Sequence, residues 1–266
     1  MGQVLIPAFQ VPAGGALLHG ERRAGTGTPL VLIHGFGGSV RDWDPVVAAL
    51  SSHRPLVLYD QRGFGQSRAD DGPYSHADDL AALLDALGVA EADLCGMSLG
   101  GATAIDFALE HPGRVRRMVL VSPLMTGWVW SQDWIERWKT IGRAARSGDL
   151  AQARQLWWAH PLFDTLRGTA PGAVMRASIE AFHGRQWIAD PQCPAAVPAA
   201  DRLGDLSSPT LLLTGARDTV DFREIARTIA ARAPDVQHID HADAGHMLNL
   251  EIPETVAAEI DRFLDV

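Results

Sequence analysis

"LCGMSLGGAT", Leu94 to Thr103, places three glycines within six residues around one serine, directly after an apolar run. Glycine is unfavourable inside strands and helices alike, so the cluster requires a backbone that turns sharply or passes close to another segment. The run before the serine, "ADLCG", reads as a strand, and "GGATAIDFALEHP" after it reads as a helix. A strand turning straight into a helix crowds the residues two before and two after the apex, here Gly96 and Gly100. Ser98 is that apex. Its hydroxyl is expected to stand strained and exposed above a sheet edge, over a helix N-terminus with unpaired N–H groups.

The flanking sequence repeats this rhythm. "PLVLIH" (Pro29–His34), "PLVLYD" (Pro55–Asp60), "VRRMVLVS" (Val115–Ser122), "PTLLLTG" (Pro209–Gly215) and "VQHID" (Val236–Asp240) read as further strands separated by helical patterns. Several are apolar nearly throughout, as in a sheet covered on both faces. The fold class is therefore α/β, a mostly parallel doubly wound sheet. "SHADDLAALLDALG" opens with a capping pattern at Ser75 and stops at Gly88.

After Pro123 the rhythm breaks. No convincing strand occurs from Leu124 to about Ala200, where helical stretches lead to the Pro-rich "DPQCPAAVPAA". Residues 124–200 are read as a helical cap inserted into a core formed by 1–123 and 201–266. Seven of the eight tryptophans fall in the cap. Some must form its own core, because tryptophan is mostly buried wherever it occurs. Trp128 and Trp130 lie where the chain leaves the sheet, so at least one of them is expected to line an apolar pocket above Ser98.

A serine hydroxyl is a weak nucleophile unless a base takes its proton and a third group orients that base. Asp218 follows the strand in "PTLLLTGARD", at the strand end where open α/β sheets form their sites. His246 follows the next strand, in "HADAGHMLNLEIPE". Asp221 rivals Asp218 but is expected to cap the helix "DFREIARTIAARA"; His241 rivals His246 but directly follows its strand, as a surface residue would. A developing oxyanion also needs donors. The Leu99 N–H is one, and the Phe36 N–H, in His34-Gly35-Phe36-Gly37-Gly38, is the other. His34 itself is assigned a structural role beneath that loop.

With these residues the chain resembles the α/β-hydrolase superfamily. The resemblance rests on HGFGG, on "DQRGFGQS" (Asp60–Ser67), on GMSLGG, on GARD and on AGH, and covers everything but the cap. The order Ser98, Asp218, His246 agrees with it. Within the superfamily the pattern is similar to the compact, cofactor-free branch of carboxylesterases, enol-lactonases and haloperoxidase-like enzymes. Asp60, Arg62, Gly63 and Gly65 match positions that shape a turn. The resemblance implies a serine carboxylic-ester hydrolase, with a lactonase as the alternative and perhydrolase activity or a ligand receptor behind it. The aspartate nucleophile of epoxide hydrolases, the HGGPG loop of proline iminopeptidases and the Asn before the serine of carbon–carbon bond hydrolases are all absent.

Composition narrows the partners. Net charge is -9, Lys139 is the single lysine, and no basic run occurs, so nucleic acid and anionic membranes are not expected to bind. No apolar run approaches bilayer-spanning length. "MGQVLIPAFQVPAGG" lacks a secretory pattern, and Ile6 stands where myristoylation expects Ser or Thr. Cys95 and Cys193 form neither a disulfide framework nor a ligand set, so a reducing cytoplasm is the expected compartment. No cofactor or metal is expected, and the partner is a small ester or lactone, neutral and apolar.

Overall fold

The computed structural model describes residues 7–193 and 195–265; the Met1-Gly2 and Ile6 reading lies outside them. Nine strands form one sheet: β1 (Ala8–Ala13), β2 (Ala16–Arg23), β3 (Leu30–Ile33), β4 (Leu56–Tyr59), β5 (Arg68–Ala69), β6 (Ala92–Met97), β7 (Val115–Val121), β8 (Thr210–Gly215) and β9 (Val236–His241). Their order is β1-β2-β4-β3-β6-β7-β8-β9, with β5 beside β2. From β4 to β9 every pairing is parallel.

All six strands expected from the sequence are present. The edge formed by β1, β2 and β5 was not expected, and it pairs antiparallel. Its pattern is obscured by Pro12 and by Gly20, which lies so close to the Phe9 ring and the Leu58 carbonyl that no Cβ fits.

The helices are α1 (Asp44–Ala49), α2 (His76–Ala86), α3 (Leu99–Glu110), α4 (Gln132–Arg146), α5 (Leu150–Trp158), α6 (Ala170–Ala181), α7 (Arg185–Ile188), α8 (Ala199–Arg202), α9 (Val220–Arg232), α10 (Leu248–Glu251) and α11 (Pro253–Leu264). They cover both sheet faces. In β3, Leu30 and Leu32 join the cluster containing α1 and α11, while Val31 and Ile33 join the one containing α2, α3 and α9. This alternation follows from the two-residue strand period, and it makes the whole strand apolar.

Between β7 and β8 no named strand occurs among the described residues; α4 to α8 fill the interval. The chain leaves β7 at Ser122, whose φ of 42° marks a strained turn. Ser131, Asp149 and Thr169 cap α4, α5 and α6 through their side-chain oxygens. Phe36, from the loop after β3, packs edge-on against Trp138, Trp157 and Phe182 at 5.1–5.6 Å, so these helices sit over the carboxyl edge of the sheet.

Candidate active site

Ser98 joins β6 to α3 with φ 51° and ψ −113°. A non-glycine residue holds such a conformation only where its surroundings enforce it. The enforcement is visible on both sides. A Cβ on Gly96 would overlap the Gly100 carbonyl, and a Cβ on Gly100 would overlap the Ile33 carbonyl. The Ser98 N–H donates to the Val121 carbonyl (3.0 Å), and its carbonyl accepts from Leu124 (2.9 Å), which ties the turn to the next strand.

Asp218 follows β8, and His246 lies between β9 and α10. His246 Nδ1 and Asp218 Oδ2 are 2.8 Å apart. The pair is sealed from water, with both side chains 2% exposed. The second oxygen, Asp218 Oδ1, accepts the Thr219 N–H at 2.6 Å. Phe222 stands edge-on to the His246 ring, centroids 4.3 Å apart. Asp218 therefore fixes Nδ1 as the protonated nitrogen and leaves Nε2 free to accept. Ser98 and His246 line the same cavity. No hydrogen bond joins them among the described residues; such contacts often tighten only with substrate in place.

The rival acid has a different task. Asp221 Oδ1 accepts the Ser131 N–H (2.9 Å) and the Trp128 indole N–H (3.3 Å), and Oδ2 accepts the Ser131 hydroxyl (2.6 Å). It does not cap its own helix, as the sequence suggested; it anchors the start of α4 to the core. His241 ends β9, away from the cavity.

Leu99 is the first residue of α3, so its N–H has no intrahelical acceptor. The Phe36 N–H donates no backbone hydrogen bond among the described residues. Gly35 brings this loop against the turn: a Cβ there would lie 2.7 Å from Met97 Sδ and 3.4 Å from Ser98 Cβ. His34 pins the loop from below. Its Nδ1 donates to the Gly35 carbonyl (2.7 Å), while Nε2 accepts the Gln61 N–H (2.9 Å). Burial lowers its pKa, which keeps it neutral and able to do both. Asp60 accepts the N–H groups of Val40 and Gln66, each at 2.8 Å, and Arg62 grips Asp79 with two nitrogens. Gly63 and Gly65 turn with positive φ.

Over Ser98 lies a cavity of about 530 Å³. Trp130, Trp134 and Trp138 line one side as a ladder. Trp130 stacks on Trp134 at 4.2 Å, and Trp134 and Trp138 are parallel within 8°. Trp128, expected alongside Trp130, is not part of the lining, because its indole N–H is turned onto Asp221. The sequence reading overlooked Trp134 and Trp138, although the four-residue spacing 130, 134, 138 is the signal for one helical face. It also missed Asp42, a buried lining residue whose carboxyl is pushed up to about 7, chiefly by burial. Sequence spacing gave no metal-ligand set, yet Asp78, Glu110 and His111 bring ligand atoms within 4.8 Å of one another on the surface.

A serine presented at a strained strand-to-helix turn and a carboxylate-oriented histidine, both lining one cavity on a parallel sheet, mark a hydrolase of α/β architecture. The chain belongs to the alpha/beta hydrolase fold family, whose sequence profile matches residues 28–253. A relative from Azorhizobium caulinodans named as carbamate hydrolase RutD is 30% identical, over 86% of this chain and 88% of its own. 3-Oxoadipate enol-lactonase 1 of Acinetobacter baylyi is 28% identical, over 80% of this chain and 79% of its own. Among solved structures, a thermophilic esterase from Thermogutta terrifontis superposes with a TM-score of 0.82 at 26% identity, covering 97% of this chain and 98% of its own. No helix among the described residues is long and apolar enough to cross a membrane.

Proposed function

We propose that the protein hydrolyses carboxylic esters through an acyl-enzyme on Ser98, with His246 as general base and acid and Asp218 as its orienting carboxylate. The observation that carries this reading is the 2.8 Å contact of His246 Nδ1 with Asp218, in a site whose cavity also holds Ser98. His246 Nε2 takes the Ser98 proton as Oγ adds to the carbonyl carbon. Asp218 stabilises the imidazolium so formed, without itself taking the proton. The N–H groups of Leu99 and Phe36 receive the oxyanion. Collapse of the adduct expels the alcohol, protonated by His246; water activated by the same nitrogen then releases the acid and frees Ser98.

Residues 124–200 act as the specificity cap. The ladder of Trp130, Trp134 and Trp138 supports an apolar or aromatic group on the substrate. The same machinery opens a lactone, which is an internal ester, and the relatives named enol-lactonase and carbamate hydrolase make lactones and carbamates the second reading. A panel of p-nitrophenyl esters of increasing acyl length, lactones of increasing ring size and aryl carbamates tests both. Esters are expected to show the highest kcat/KM; turnover confined to lactones or carbamates overturns the first reading, and turnover of none overturns both.

A further inference from the structure

The loop after β3 has little of its own to hold it in place. Gly35 and Gly37 flank Phe36, and Gly37 turns with φ 75°. The Gly35 carbonyl is pinned from below, by His34 Nδ1 (2.7 Å) and by the Gly38 N–H (3.2 Å). In a trans peptide the following N–H points away from that carbonyl. The Phe36 N–H is therefore directed away from His34, and both Gly35 and Phe36 line the cavity.

The far end of this peptide is held by the Phe36 ring. Four cap rings surround it: Trp138 of α4 at 5.1 Å, Trp157 of α5 at 5.6 Å, Phe182 at the end of α6 at 5.5 Å and Trp187 of α7 at 6.1 Å. Phe64, from the turn after β4, closes the core side at 5.4 Å. The rings also brace one another. Trp157 contacts Trp138 (5.9 Å) and Trp187 (6.5 Å), and Phe182 contacts Trp187 (4.9 Å) and Phe64 (5.6 Å). All these separations fall in the ~4.5–7 Å range of favourable aromatic pairs. The backbone after Phe36 passes beside the same rings: a Cβ on Gly37 would lie 3.7 Å from the Trp157 indole nitrogen and 3.9 Å from the Phe182 ring. Here the reacting edge, elsewhere held by its own backbone, leans on the helices above it.

We propose that the cap sets the oxyanion hole: the rings of Trp138, Trp157, Phe182 and Trp187 are positioning groups that hold the Phe36 N–H where the oxyanion forms. The cap thereby acts in the chemical step as well as in substrate choice. The inference rests on the acyl-enzyme reading, because the oxyanion forms only when Ser98 adds to a carbonyl. Phe182 and Trp187 are the telling members. Both are buried, and neither is among the described residues lining the cavity. Replacing them alters the support of the donor and leaves the cavity wall in place.

Fluorine NMR titration with 1,1,1-trifluorooctan-2-one and the matching alcohol, 1,1,1-trifluorooctan-2-ol, tests the clamp without turnover. With the ketone, Ser98 Oγ bonds to the carbonyl carbon, the π pair becomes the oxyanion, and the serine proton passes to His246. The alcohol fills the same space and forms no adduct. Losing one oxyanion donor outright slows turnover about a hundred- to a thousandfold, so a loosened donor should cost part of that. In Phe182→Leu and Trp187→Leu the ketone is expected to bind at least about fivefold more weakly, with the alcohol unchanged within about twofold. Phe36→Ala keeps the N–H and removes the clamped ring, so ketone affinity relative to alcohol should fall at least about tenfold. Its half-buried loop position lets this variant carry the test should a Leu variant fail to fold. With p-nitrophenyl butyrate the loss should appear in kcat, with KM within about twofold. Equal weakening of ketone and alcohol, a loss confined to KM, or affinities matching wild type overturns this inference alone. Wild-type protein that forms no ketone adduct overturns the acyl-enzyme reading and the inference with it.

Discussion

The carboxyl edge of the sheet and the helices between β7 and β8 hold their side chains by different means, and Asp218 and Asp221 mark the border. At the edge each position is fixed by its own backbone: Ser98 by the glycines on either side, His34 by its neighbour's carbonyl, Asp218 by the N–H that follows it. In the helices, position is collective. Trp130 is held by Trp134 and Phe222, and Trp134 by Trp138 and His160, so no single residue dictates the arrangement. Only two residues separate Asp218, which holds His246, from Asp221, which moors the helices. On the proposed mechanism, chemistry is built on the edge held by its own backbone, with Phe36 the exception, and substrate choice on the helices held by one another.

The largest effects belong to the edge. Ser98→Ala and His246→Ala should each lower turnover by roughly a millionfold, as in triads acting as a unit. Stopped-flow and long-time-course assays measure this; a tenth of the activity surviving in either variant would refute their roles. Asp218→Asn should cost about ten-thousandfold by favouring the wrong tautomer. Asp221→Asn, by contrast, should leave turnover of a small ester within about tenfold. It weakens hydrogen bonds to a charged group worth ~1.5–3 kcal/mol, which calorimetry should register as a melting point several degrees lower. A reversal of the two aspartates would erase the border drawn here.

Within the helices the contrast is finer. Trp130→Ala should alter the acyl-length profile, each buried methylene at that wall contributing ~0.8 kcal/mol or roughly fourfold. Trp128→Ala should leave the profile unchanged and lower the melting temperature, because its indole serves Asp221. Equal changes of profile in both would return Trp128 to the pocket.

A last effect, on stability rather than turnover, is one of pH. Burial raises the Asp42 carboxyl from 3.8 to about 7, so the folded protein holds a proton there that the unfolded chain has lost. With more protons bound in the folded state, this group's stabilising effect fades as pH rises from about 4 to about 7 and is gone above that. Asp42→Asn should therefore gain stability relative to wild type across that window, levelling off at a few kcal/mol in alkaline buffer. A difference independent of pH in urea titrations would show that Asp42 ionises normally.

What could be read from the sequence follows the same division. Gly96, Ser98, Gly100, Asp218 and His246 were legible because their conformations or strand-end positions demand particular residue types locally. Trp128 was misplaced because the direction of an indole depends on a carboxylate ninety-three residues away. Asp42 went unread for a related reason: in the sequence it is an ordinary polar position, and only the fold buries it against the cavity. The edge strands β1 and β2 were hidden by Pro12 and Gly20, whose tolerance comes from tertiary neighbours.

Mass spectrometry of the protein quenched during turnover of p-nitrophenyl butyrate bears on Ser98 without intermediaries. A butyryl adduct should appear on the peptide containing Ser98, form at the rate of the nitrophenol burst, and decay at the steady-state rate. Turnover with that peptide unmodified at every quench time, or an adduct on another residue, would contradict an acyl-enzyme on Ser98.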